Sequence, residues 1–120
     1  MIANVENYHP KYYLQQLIQT PPYNAYSLDE IAWQINRTPA YLQALCKGEI
    51  KFTVDTSIRL GLFFGIYPDE FIKRQCTYDV IVRMNEDEEQ EKYFKQVGSS
   101  NLPGYQLLES KLALADDDIF

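Results

Sequence analysis

Side chains able to carry acid–base, nucleophilic or metal chemistry are few in this sequence and far apart. His9 is the only histidine, and Cys46 and Cys76 are the only cysteines. The two thiols have no paired spacing, so neither a metal knuckle nor a redox pair is expected. No glycine-rich phosphate loop occurs, and no nucleophile or carboxylate partner stands at a signature distance from His9. These features argue against an enzyme and imply no cofactor and no metal. His9 precedes Pro10 and reads as a residue at a helix start. Cys46 sits in an apolar helical pattern and reads as a small buried hydrophobe, with no disulfide expected in a reducing compartment. Binding chemistry is what remains. Arg37, Lys47 and Lys51 fall in one short region, and such cations hold phosphates.

Two short helices must position that region. Ser27 with Glu30 three residues on is a capping box, in which each side chain satisfies the other residue's backbone N–H. Leu28, Ile31, Ala32 and Ile35 then give one helical stripe. Asn36 suits a left-handed stop. Thr38 caps the next helix, and Pro39 takes its first position, where no N–H is needed. Leu42 and Leu45 form its stripe, Gly48 ends it, and Ala32 is small where the helices cross. The pattern over 27–49 is a helix-turn-helix.

The flanking sequence is helical too. Residues 1–8 form a short arm. A helix starts at His9-Pro10, with Tyr13, Leu14, Leu17 and Ile18 on one face. Thr20 to Asn24 is a loop by its prolines. Thr53 caps a fourth helix whose inner face carries Val54, Ser57, Leu60, Gly61 and Phe64; Ser57 and Gly61 leave room for close contact, and Gly65 ends it. Pro68 opens a fifth helix with Asp69 and Glu70 in its first turn. The polar stretch 85–97 either extends that helix or forms another. Residues 98–104 are a loop, and 105–115 read as a helix. The fold class expected is all-α, a helical domain over 9–83 with an acidic C-terminal extension over 84–120.

Charge divides the same way. Residues 1–83 hold eight Lys/Arg and eight Asp/Glu, whereas 84–120 hold three and nine, so the whole net charge of −6 lies in the last third. A neutral head permits a cationic contact face despite the acidic total. No apolar run is long enough to cross a bilayer and no signal peptide opens the chain. The expected location is the cytoplasm.

The order of these residues resembles the XRE-type helix-turn-helix family, and more closely its HigA-type antitoxins. The resemblance covers roughly residues 9–80. His9-Pro10, SLDEIAWQIN, TPAYLQALCKG and TVDTSIRLGLFFGIYP carry it, and its most specific part is the run Phe71, Ile72, Gln75, Tyr78, Asp79 and Val80. It implies a dimeric protein with a five-helix lambda-repressor-like helix-turn-helix domain that binds a double-stranded DNA operator and neutralises a toxin, typically a small ribosome-dependent mRNA-cleaving enzyme. Departures are visible. Leu28 stands where the family usually has a phosphate-contacting Gln, and Arg37 replaces the usual apolar turn residue. Positions that commonly face base edges fall on Pro39, Ala40 and Ala44, with Tyr41 and Gln43 beside them. Only Thr38, Tyr41 and Gln43 offer donors or acceptors, and Ala40 offers at most contact with a thymine methyl. Arg37, Lys47 and Lys51 are the candidate phosphate contacts, together with the helix N-terminus at Ser27.

A two-fold dimer reading paired half-sites would use Tyr78, Val80, Ile81, Val82 and Met84 near the end of the fifth helix. The alternative function is a helix-turn-helix-derived protein-interaction module without base reading. Trp33 lies off the Leu28–Ile35 stripe and is expected beneath another helix, 105–115 being the candidate, rather than as an exposed interface anchor. The 105–115 helix is expected to dock its Tyr105, Leu108 and Leu112 face on the domain.

Overall fold

The computed structural model describes residues 4–94 and Gly104, Gln106, Leu107, Ser110 and Lys111. Among these the chain is all-α, with α1 (Pro10–Gln19), α2 (Leu28–Gln34), α3 (Pro39–Lys47), α4 (Val54–Phe64) and α5 (Glu70–Phe94). Short 3-10 turns occupy Val5–Tyr8, inside the expected N-terminal arm, and Tyr23–Ala25. One compact unit spans Tyr8–Tyr78; the other comprises Met1–Asn7 and Asp79–Phe120. The stretch from Asn85 continues α5 as far as Phe94. The expected 105–115 helix and its docking face lie largely outside the described residues.

Local chemistry sets the helix ends. His9 caps α1, its Nδ1 accepting the Lys11 N–H at 3.1 Å. The capping box of α2 is complete: Ser27 Oγ accepts from the Glu30 N–H at 3.1 Å, and Glu30 Oε1 accepts from the Ser27 N–H at 3.0 Å. Asn36 takes a φ of 57°. The Asn36 N–H then reaches the Trp33 carbonyl and the Arg37 N–H reaches the Ala32 carbonyl, the paired bonds that close a helix C-terminus before a sharp turn. Thr38 and Thr53 cap α3 and α4 through their hydroxyls. Gly48 and Gly65 are left-handed just past those helices, as a residue without a Cβ allows.

The core of the Tyr8–Tyr78 unit gathers Leu14, Ile31, Ala32, Ile35, Leu42, Leu45, Phe52, Leu60, Phe64 and Phe71. Phe52 and Phe71 stack with centroids 5.0 Å apart. α2 and α1 both pack on α3. The close contact expected at Ser57 and Gly61 brings in the start of α5. A Cβ on Gly61 would stand 2.7 Å from the Pro68 Cα. Ser57 Oγ donates to the Pro68 carbonyl at 2.7 Å and accepts from the Ile72 N–H at 3.0 Å. One hydroxyl thus seats the α4–α5 turn and serves an otherwise orphaned donor at the α5 N-terminus.

Four expectations need correction. α5 begins at Glu70 rather than Pro68, because the chain first turns through Pro68 and Asp69 and the Glu70 N–H bonds back to the Tyr67 carbonyl. Val54 is not on the inner face of α4; it is 61% exposed. The buried side there is Thr56, Ser57, Leu60, Gly61 and Phe64, and Val54 instead lines up at four-residue spacing with the exposed Ile58 and Leu62. Trp33 is 64% exposed and does not pack beneath another helix. Cys46 is half-buried against the core, where burial pushes its thiol pKa up, while Cys76 is exposed.

Candidate nucleic-acid interface

The outward face of α3 carries Ala40, Gln43 and Lys47, all exposed. Their spacing of three and then four places them on one stripe. Thr38 stands at the head of the stripe, but its hydroxyl oxygen already accepts the Tyr41 N–H at 3.1 Å. The Gln43 amide and the Lys47 ammonium are turned to solvent with no partner among the described residues. They are the groups on this face that remain available for a base edge and a phosphate.

Two of the expected contacts are engaged elsewhere. The Tyr41 hydroxyl is hydrogen-bonded at 2.8 Å to Thr56 Oγ1 on α4, and Thr56 is buried. The ring therefore braces α3 on α4, and its polar end points into the domain. Arg37 forms a salt bridge with Asp55, also on α4, donates to the Asn36 carbonyl at 2.9 Å, and lies over the Tyr41 ring. Reaching a phosphate would break its pair with Asp55. Arg59 binds the same carboxylate at 2.8 Å. That hydrogen bond, the larger influence, and those from Arg37 together hold the Asp55 carboxyl below the usual carboxylate range.

The remaining positions are mixed. Ser27 is exposed, but its hydroxyl and its N–H are both committed to Glu30. Asp29 and Glu30 are exposed in the same first turn and place carboxylates where a phosphate would approach. Lys51 is exposed on the segment joining α3 to α4. The next residue anchors that segment: the Phe52 N–H donates to Gln75 Oε1 at 3.0 Å, and the Gln75 side chain is buried. Gln75 thereby fixes the backbone beside Lys51, and Gln15 holds the C-terminal end of α3 by donating to the Cys46 carbonyl at 2.6 Å. Asp55, Thr56 and Gln75 position this surface without facing it. Sequence reasoning passed over the first two, and of the three only Gln75 had a signal, its place in the Phe71–Val80 run.

The expected dimer residues on α5 differ in access. Ile81 is buried, Val80 is 55% exposed, and Tyr78, Val82 and Met84 are half-buried. The Tyr78 ring meets the edge of His9 at 4.6 Å.

The fold has a solved counterpart. The chain is similar to the structure of an addiction module antidote protein of a HigA family from Coxiella burnetii, with a TM-score of 0.61 and 22% identity over 72% of this chain and 91% of that one. No protein-family model and no curated protein matches the sequence. At this identity the likeness speaks to the fold, and it agrees with the all-α helix-turn-helix built up from the caps and the core. Among the described residues no group of histidine, cysteine and acidic side chains could hold a metal ion, and no helix is long and apolar enough to cross a membrane.

Proposed function

We infer that this chain is a DNA-binding transcriptional regulator of the antitoxin kind, acting as a cytoplasmic homodimer on an operator and neutralising a cognate toxin protein. The observation that carries the reading is the α3 stripe, where Gln43 and Lys47 are presented without protein partners on a fold similar to that of a HigA-family antidote. In this reading residues 9–83 form the operator-binding domain, 1–8 an N-terminal arm and 84–120 an acidic appendage. Gln43 reads a base edge, Lys47 and Lys51 hold phosphates, Ala40 meets the groove floor, and Thr38, Arg37, Tyr41 and Ser27 shape and seat α3. Fluorescence anisotropy with the DNA upstream of the chain's own gene tests it. Gln43→Ala should reduce the preference for that DNA over scrambled sequence by about 1–3 kcal/mol. Equal binding of operator and scrambled DNA by the unaltered protein would sink the reading.

A specific observation favours a second reading, that of a protein-interaction module. The α3 stripe offers one amide and one ammonium for recognition, whereas Trp33 presents a largely exposed indole on α2, and Trp is enriched at binding hot spots. Under this reading Trp33→Ala abolishes capture of the toxin, and Gln43→Ala changes nothing measurable.

A further inference from the structure

Two arginines of this domain converge on Asp55, in the first turn of α4. Arg37, in the turn between α2 and α3, donates to its carboxylate, and Arg59, one turn along α4, donates to it at 2.8 Å. The two are held differently. Arg59 shares a helix with Asp55 at a spacing of four, and its other contact is the Ile35 carbonyl at 3.4 Å. Arg37 stands one residue before Thr38, the cap of α3, and so at the head of the stripe that carries Gln43 and Lys47. It meets three groups there: the Asp55 carboxylate, the Asn36 carbonyl at 2.9 Å, and the Tyr41 ring with its centroid at 5.6 Å. An isolated ion pair in water holds its partners weakly. Arg37 is held more firmly, because Nη1 is engaged by the carbonyl, Nη2 by the carboxylate, and the plane by the ring. Asp55 does not depend on Arg37 in return. It keeps Arg59 and the positive end of α4 if Arg37 leaves.

We propose that Asp55 withholds Arg37 from the DNA backbone and thereby limits how tightly the domain holds DNA of any sequence. This rests on the operator-binding reading above and adds to it a residue that tunes the same surface. A phosphate contact supplies affinity without sequence information. An arginine at the head of the α3 stripe is well shaped to make one, since its planar fork matches two phosphate oxygens. Here the fork is closed on groups of its own chain, and a phosphate would have to displace the Asp55 carboxylate to take it. Asp55 is more than half exposed, so it also sets a negative charge beside the head of the stripe. Keeping Arg37 off the backbone lowers the sequence-independent part of the affinity and leaves recognition to Gln43. Asp55 is a positioning residue in this account: it acts through Arg37.

Anisotropy titrations of the full chain across salt, with the upstream DNA and with a scrambled duplex of equal length, test this. Asp55→Asn keeps the shape of the side chain and removes its charge. It should tighten binding to both duplexes and steepen the slope of log affinity against log salt by about 0.9 per copy bound, the increment of one phosphate contact. Arg37→Gln alone should leave the slope at the parent's value, because the guanidinium is not on a phosphate. The double variant separates release of Arg37 from mere loss of a repelling carboxylate. With Arg37→Gln in place, Asp55→Asn should no longer steepen the slope. Arg37→Lys with Asp55→Asn restores a free cation and should restore the steeper slope, which a damaged fold would not do. An Asp55→Asn protein with the parent's slope would overturn the proposal. So would an Arg37→Gln/Asp55→Asn protein as steep as Asp55→Asn, or an Arg37→Gln protein flatter than the parent. The operator reading fails separately, through equal binding of operator and scrambled DNA, and the slope is read on either duplex.

Discussion

Gln75 shows how one side chain inside the domain governs a surface it does not reach. Its buried carbonyl oxygen accepts the Phe52 N–H. Gln75→Leu keeps the volume but strands that donor, and an unsatisfied buried donor costs about 1–3 kcal/mol. Thermal unfolding should show the loss, and a melting temperature equal to the parent's would contradict the role given to Gln75. Asp55 supplies a pH signature. Its carboxyl is held below the 3.8 of a free aspartate, first by the Arg59 hydrogen bond and then by Arg37. A pKa lowered by folding means a stabilising contribution that is complete above the unfolded value and is lost as pH falls through the folded one. NMR titration of the Asp55 side chain should find a midpoint below 3.8 that Arg59→Ala raises; a midpoint indifferent to Arg59 would refute the assignment. The legible residues were those whose partners lie a few positions away: Ser27, Asn36, Thr38, Gly48, Thr53 and Gly65 all act on their own helix ends. Tyr41 and Arg37 were misleading as free binding groups because their partners, Thr56 and Asp55, come from another helix, and no local spacing announces that.

At the scale of elements, helix order and the helix-turn-helix could be read from caps and stripes, because both repeat with the helix period. α4 could be read only in part. Its small residues at 57 and 61 did mark the close approach of the next helix, as the Pro68 contact shows. Its aliphatic residues gave the wrong sense at Val54, since an apolar residue on an amphipathic helix is read as buried. The Gly61 contact gives the sharper test. A methyl there meets backbone atoms of Tyr67 and Pro68 as well as the Pro68 Cα at 2.7 Å, and backbone cannot yield as a long side chain does. Gly61→Ala should therefore destabilise the domain by about 1–3 kcal/mol, the usual scale of overpacking, although alanine is the better helix former. Chemical denaturation measures the sum. A neutral or stabilising result would mean that the α4–α5 turn shifts freely, which the two hydrogen bonds of Ser57 argue against.

Along the sequence an acidic stretch follows a neutral domain, and the cations of that domain fix how the molecule should respond to salt. Each phosphate neutralised on duplex DNA contributes about −0.9 to the slope of log affinity against log salt. Of the three candidate phosphate-binding cations, Arg37 is paired with Asp55, and the proposed reading assigns the phosphate contacts to Lys47 and Lys51 of each copy. A dimer on two half-sites then engages about four phosphates, for a slope near −3.6. Lys47→Ala removes one contact per copy and should flatten the slope by about two units, weakening operator and scrambled DNA alike. Gln43→Ala should leave the slope untouched while eroding sequence preference. The two substitutions thus separate positioning from reading on the same helix face. Anisotropy titrations between low and physiological salt decide the matter. A slope much steeper than about −4 would place the phosphate contacts outside α3 and its following segment. A Lys47→Ala protein with the parent's slope would remove α3 from the DNA interface and favour the reading built on Trp33.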